Sequence, residues 1–184
     1  MDVNQRQPAF AAIVVVVTLL GIGCGKHEAA TPAQVVAGLY RTLASVQVRG
    51  APSAEQLALI APYLSSELQG QLRAARALHD REQAQSLGEK PSFAEGDLFS
   101  SLFEGPTTFE VVAESEQHGA HRVTLRFAYN LASPPVSWTD QVVVKSERGR
   151  WVVADVVFGG KWDFANRGTL LKALKPVGDD RPKI

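Results

Sequence analysis

The chain has 184 residues, of which 19 are Lys or Arg, 19 are Asp or Glu, and 45% are hydrophobic. Charges of the two signs cancel and are interspersed, so no basic surface is offered that would displace counterions from nucleic acid, and a nucleic-acid partner is not expected. Cys24 is the single cysteine, which excludes an internal disulfide framework.

Arg6 and the α-amino group precede an unbroken apolar run of twelve residues, Ala9 to Leu20. A charged region followed by an apolar one is the layout of a signal peptide, expected over residues 1–23. A spanning helix needs about 20 apolar residues, so a retained transmembrane helix is the weaker reading. The run closes in Leu20-Gly21-Ile22-Gly23-Cys24. This segment resembles the lipobox of bacterial lipoproteins, with Leu one step earlier than that pattern has it. The resemblance implies lipid attachment at Cys24, and Gly25 in place of Asp implies the outer membrane, facing the periplasm. Ordinary cleavage after Gly23, or an incidental Cys24, is the alternative. Lipidation is favoured because an exported protein seldom keeps an unpaired thiol at its mature end without a use.

Residues 24–184 suit one domain, since about 150 residues bury close to 70% of the surface they expose unfolded. Residues 24–30 read as a tether, 31–175 as a single α+β domain and 176–184 as a frayed tail. Thr31-Pro32-Ala33-Gln34 combines a cap, Pro at the first helical position and Gln placed to close a capping box. Val35, Leu39, Leu43 and Val46 then form one apolar stripe, ending before Gly50. Ser53 and Gln56 repeat the capping logic for a short helix carrying Leu57 and Ile60, which Pro62 breaks. From Ser65 or Ser66, Leu68, Leu72, Ala75 and Leu78 keep the helical period to about Gln85. Arg76 and Asp80 form an exposed i,i+4 pair there, and His79 reads as a boundary residue.

Lys90 to Pro106 packs Phe93, Leu98, Phe99, Leu102 and Phe103 among Pro, Gly and acidic residues, too dense in large apolar groups for a free loop. It is expected either to close one end of the core or to act as a lid over a pocket. Phe99 and Phe103 are one helical turn apart and so could bury one face together.

After Thr107 the period changes to two. Phe109, Val111 and Ala113 mark one strand; Val123, Leu125, Phe127 and Tyr129 mark the next. Trp138 to Glu147 and Arg150 to Phe158 make two more, joined by a two-residue turn at Arg148-Gly149, while Ser133-Pro134-Pro135 marks a longer connection. Gly159-Gly160 ends the last strand, and Leu170, Leu171 and Leu174 suggest a short helix. Helices first and strands second give an α+β domain with helices on one face of a curved four-stranded antiparallel sheet.

This order, with Trp151-Val152-Val153-Ala154-Asp155-Val156-Val157-Phe158-Gly159-Gly160 closing the sheet, resembles the nuclear transport factor 2-like superfamily of cone-shaped domains. The segment Asp97-Leu98-Phe99-Ser100-Ser101-Leu102-Phe103-Glu104-Gly105 is similar to small exported bacterial proteins of that type. The resemblance spans residues 31–175 and bears on fold more than on function: the superfamily includes isomerases and dehydratases beside many non-enzymatic members.

No Gly-rich phosphate loop follows a strand and no Gly-x-Ser-x-Gly elbow is present, so phosphate-loop and hydrolase chemistry lack their parts and no cofactor is implied. His118 and His121 lie near Glu114 and Glu116, but a stable metal site needs three or four ligands, and none is expected. The Arg148-Gly149 turn would set Val142 opposite Asp155 and Asp140 opposite Val157. Asp140 and Asp155 would then be diagonal neighbours on a face shared with Trp138 and Trp151, where an apolar setting raises a carboxyl toward acid/base use. The competing reading pairs one of them with Arg126 or another cation.

The function expected is a lipid-anchored envelope protein whose domain binds a small apolar ligand or another envelope protein without catalysis, with Trp138, Trp151, Phe99 and Phe103 as binding candidates. The alternative is a lyase or isomerase using Asp155 and Asp140 as cavity carboxylates.

Overall fold

A computed structural model of the chain describes residues 30–85, 88–117 and 120–175. Three helices precede a four-stranded sheet, and a fourth short helix follows it. Helix α1 (Pro32–Val46) and helix α2 (Ala54–Ile60) both open on complete capping boxes, Thr31 with Gln34 and Ser53 with Gln56, each satisfying two otherwise orphaned N–H groups. Pro62 does not free the chain but tightens it into a single 3-10 turn, Ala61–Tyr63, before α3 (Ser66–Gln85). The expected surface pair is present on α3, with Arg76 Nε 2.8 Å from Asp80. Half-buried His79 also hydrogen-bonds Asp80 at the helix surface. None of the described helices is long and apolar enough to cross a membrane.

Strands β1 (Thr108–Gln117), β2 (Ala120–Tyr129), β3 (Val136–Glu147) and β4 (Arg150–Val157) form an antiparallel meander in the order β1-β2-β3-β4. The β3–β4 turn is the two-residue one expected: Glu147 pairs with Arg150, and Arg148 and Gly149 both take positive φ, 52° and 75°. Helix α4 (Leu170–Ala173) is capped by Thr169. The molecule is therefore α+β, with Val36, Leu39, Tyr40, Ile60, Leu68 and Leu72 of the helices buried against Val123, Leu125, Phe127, Val142, Val144 and Val153 of the sheet.

The edges of the sheet differ. Along β4, Ser65 N–H donates to Val153 and Phe158 N–H to Gly168, so both neighbouring segments cover it. Strand β1 instead carries a register shift between Val111 and Ala113 and exposed glutamates at 110, 114 and 116, devices that blunt an edge against further pairing.

Candidate functional site

Asp140 lies on the core face of β3 at 1% exposure. Its carboxylate accepts from Ser101 N–H (2.8 Å), Gly159 N–H (2.8 Å), Trp138 Nε1–H (3.1 Å) and the Ser101 hydroxyl. Four donors fill the roughly four acceptor sites of an ionised carboxylate. Ser101 Oγ in turn accepts from Gly160 N–H at 2.9 Å. The glycine pair is demanded by this packing: a Cβ on Gly159 would lie 2.1 Å from Thr139 O, and one on Gly160 would lie 2.7 Å from Ser101 Cβ. Asp140 thus fastens the loop of residues 97–105 and the end of β4 to the sheet.

Asp155 does not join it. The register shifts between Val143 and Val144, so Val144 faces Val153 but Val143, not Val142, faces Asp155, with Ala154 as the extra residue. Alternation along β3 then puts Asp155 on the sheet face opposite Asp140, which overturns the expected diagonal pair. Asp155 accepts from Val156 N–H and from Leu171 N–H at 2.9 Å, tying α4 to β4. Arg126, expected as a partner for one of these carboxylates, instead meets Glu110 across β1 and β2 at 3.2 Å.

Trp138 and Trp151 share the core face but sit at its two ends, eight residues apart along the β3 register and so about 27 Å at 3.4 Å per residue. Trp138 packs on Phe127 and Trp162, whereas Trp151 stands edge-on to His121 at 4.5 Å. They form no common surface. His121 also lies 3.9 Å from Glu116, while His118 and Cys24 lie outside the described residues.

The Phe-rich segment is not helical. Asp97 N–H bonds Phe103 O at 2.7 Å and Gly105 N–H bonds Leu102 O at 2.9 Å, folding residues 97–105 into a compact loop. Phe99 points inward at 2% exposure and Phe103 outward at 47%, which corrects the expectation of one shared buried face.

This loop, the last turns of α1 and the start of β1 enclose a cleft of about 490 Å³. Its apolar walls include Tyr40, Leu43, Val48, Phe99 and Phe109, and its charged groups are Arg49, Asp97 and Glu104. A neighbouring cleft of about 510 Å³ shares Arg49 and residues 104–107 and runs on to Phe103, Tyr129 and Leu131. Such volumes fall within the usual range for small-molecule sites.

Asp97 is placed by its own loop: Oδ1 accepts Phe99 N–H at 2.6 Å, a local turn of the kind Asp favours. Burial pushes its carboxyl up to about 6, against the opposing pull of the Phe99 N–H, the Arg49 charge and the Ser100 N–H, with Asp140 adding a further push upward. Arg49 is held by Gly50 N–H to Gly96 O at 2.7 Å and by its own Nη1 donating to Glu104 O. No ion pair within 4.0 Å joins Arg49 to Asp97, although both line the cleft. Tyr40 donates its hydroxyl to Phe99 O at 2.6 Å, and burial first, then the charges of Asp97 and Asp140, hold that phenol well above its ordinary range. Its ring stands 5.6 Å from that of Phe109.

The residues of this cleft other than Phe99 were not singled out for a site by the sequence. The available signals were a Tyr on the helical stripe, which needs a partner for its hydroxyl when buried, and an Asp preceding two apolar residues in a loop that must pack.

No protein-family model and no curated protein matches the chain. Among solved structures, it is similar to the solution structure of a SEC-C motif containing protein from Rhodopseudomonas palustris, at 16% identity over 65% of this chain and 88% of that one, with a TM-score of 0.31. The resemblance to nuclear transport factor 2-like domains and to small exported bacterial proteins of that type is accordingly corrected: no family model, that superfamily's included, matches the chain. The likeness to the solved structure is too slight to carry an argument about fold or function. The residues that bore the resemblance have local reasons, Gly159 and Gly160 in the Asp140 network and Trp151 against His121.

Proposed function

We propose that this chain is exported, held at the cell envelope through a lipid on Cys24, and serves there as a non-enzymatic binding module whose site is the Asp97 cleft. The observation that carries the binding reading is a carboxyl and a guanidinium lining one cleft with aromatic walls and no ion pair between them. A carboxyl withdrawn from water, as that of Asp97 is, is retained at a cost in stability, and a ligand that pairs with it recovers some of that cost. The support for export is the charged and apolar order of residues 1–23 and the lone cysteine at their end.

A second reading makes Asp97 a general base, since a carboxyl near 6 is suited to proton transfer close to neutral pH. Binding is favoured because the phenol that lines the same cleft, Tyr40, is committed to Phe99 O. Asp140 and Asp155, whose acceptors hold the loop and α4, line neither cleft.

Intact-mass analysis of the native protein tests the anchor: a lipid-sized increase on an N-terminal Cys24 peptide supports it, and a free Cys24 thiol or cleavage elsewhere ends it. For the site, Ala44→Phe places a large ring on an exposed lining position. In a thermal-shift screen of small molecules, the variant should fold normally yet lose the stabilisation that hits give the parent. Unchanged hits would move the site away from this cleft.

A further inference from the structure

Resting on that binding reading, we infer that the cleft takes a small molecule with a primary ammonium on an apolar, preferably aromatic, body, the ammonium seated on Asp97 and the body against Tyr40 and Phe109. Charge argues for a cation: Asp97 and Glu104 set two carboxylates against the single guanidinium of Arg49. Geometry argues the same way. Asp97 Oδ1 is occupied by a backbone N–H, which fixes the carboxyl's direction. Arg49 is steered by Glu104 O and forms no ion pair with Asp97 that an incoming ammonium would have to break. The ring of Phe109, half-buried at the cleft wall and backed by buried Tyr40 at 5.6 Å, offers a π face, which attracts a cation most where water is displaced.

A carboxylate left partly desolvated gains most from a partner that is itself charged and can donate, and an ammonium is both. The remaining donors of Arg49 define a further choice. They would take the carboxylate of an apolar α-amino acid, or stay in solvent beside a simple amine.

The charged and titratable groups that act on Asp97 are Tyr40 from α1, Arg49 from the following connection and Asp140 from β3, while Glu104 of its own loop lines the same cleft. With its carboxyl near 6, Asp97 is ionised at pH 7.5 and about nine-tenths protonated at pH 5. Binding of an ammonium should weaken about tenfold between those pH values, because only the ionised fraction is competent.

The test is a titration of the full, ¹⁵N-labelled chain with phenethylamine, phenylalanine and 3-phenylpropanoate, followed by amide shifts. The inference expects saturable shifts at Tyr40, Asp97 and Phe109 with phenethylamine at pH 7.5, weakened about tenfold at pH 5 and at least tenfold by Asp97→Asn. Tighter binding of phenylalanine, reversed by Arg49→Gln, assigns the amino-acid source; weaker binding of it assigns the simple amine. Ala44→Phe supplies a second check that leaves the Asp97 hydrogen bonds untouched, and it too should abolish the shifts. Equal or tighter binding of 3-phenylpropanoate at these residues overturns the ammonium inference while leaving a binding cleft in place. An absence of saturable shifts at the cleft with all three probes overturns both.

Discussion

Asp140 and Asp97 are tied to the same loop, yet the first is closed by four donors at 1% exposure, whereas the second has backbone N–H support on its Oδ1 and lines a cleft with Arg49 beyond pairing distance. A buried carboxylate whose acceptors are filled organises its surroundings and has nothing left for a ligand. One that burial lifts to about 6 is held against its charged form, which a cationic partner would favour. The apolar face bearing Trp138 is thus the framework, and the rim of the loop is where a partner can gain.

The largest effect expected is from Asp140→Ala, which strands Ser101 N–H, Gly159 N–H and Trp138 Nε1–H without an acceptor. At about 1 to 3 kcal/mol for each unsatisfied buried group, a loss of about 3 kcal/mol or more is anticipated in urea unfolding, a large part of a domain's 5 to 15 kcal/mol. A loss below about 1 kcal/mol would make Asp140 no more structural than Asp97 and so erase the contrast.

Next, Phe99 and Phe103 separate core from rim within one loop. Phe99→Ala should cost about 3 to 5 kcal/mol, as a truncated core aromatic does. Phe103→Ser, at a half-exposed position, should cost less than about 1 kcal/mol by the same measurement. Equal costs would put both rings in one cluster.

The Asp97 carboxyl gives an effect of intermediate size and opposite sign. As pH rises from about 4, the unfolded carboxyl ionises first while the folded one keeps its proton to about 6, so native stability falls through that window. Above it the full difference is lost, at most about 3 kcal/mol at 1.36 kcal/mol per unit. Asp97→Asn keeps an acceptor for Phe99 N–H but carries no charge. It should match or exceed the parent's stability at pH 7.5 and flatten the decline between pH 4 and 6 in thermal melts. Lower stability of Asp97→Asn at pH 7.5 would show a carboxylate that the fold needs.

The smallest effect belongs to Asp155→Asn, whose carbonyl can still accept Val156 and Leu171 N–H. A change within about 1 kcal/mol is expected in the same unfolding series. A loss several times larger would mean that the ionised form is what seats α4.

The local chemistry of the helices was legible in the sequence, because a capping box is complete within four residues: Thr31 to Gln34 and Ser53 to Gln56 announce both helix starts. The Arg148-Gly149 turn was equally local, and it set the pairing correctly as far as Val144 with Val153. The bulge at Ala154 was not legible, since Val152-Val153-Ala154-Asp155-Val156-Val157 has no clean alternation to betray a slip of one residue. That slip moved Asp155 across the sheet and with it the proposed carboxylate pair. Phe99 and Phe103 misled through their spacing, for hydrogen bonds from Asp97 and Gly105 fold the segment into a loop. The cleft escaped notice because Tyr40, Arg49, Asp97 and Phe109 come from separate stretches of chain, and nothing local marks a carboxyl that burial will raise.

The most direct measurement is the titration of the Asp97 side-chain carboxyl by ¹³C NMR in the full chain, with and without phenethylamine. The account predicts a midpoint near 6 that falls as the amine saturates, since an ammonium favours the ionised form. A midpoint near the ordinary 3.8, indifferent to the amine, would contradict it and leave Asp97 as one more solvated carboxylate.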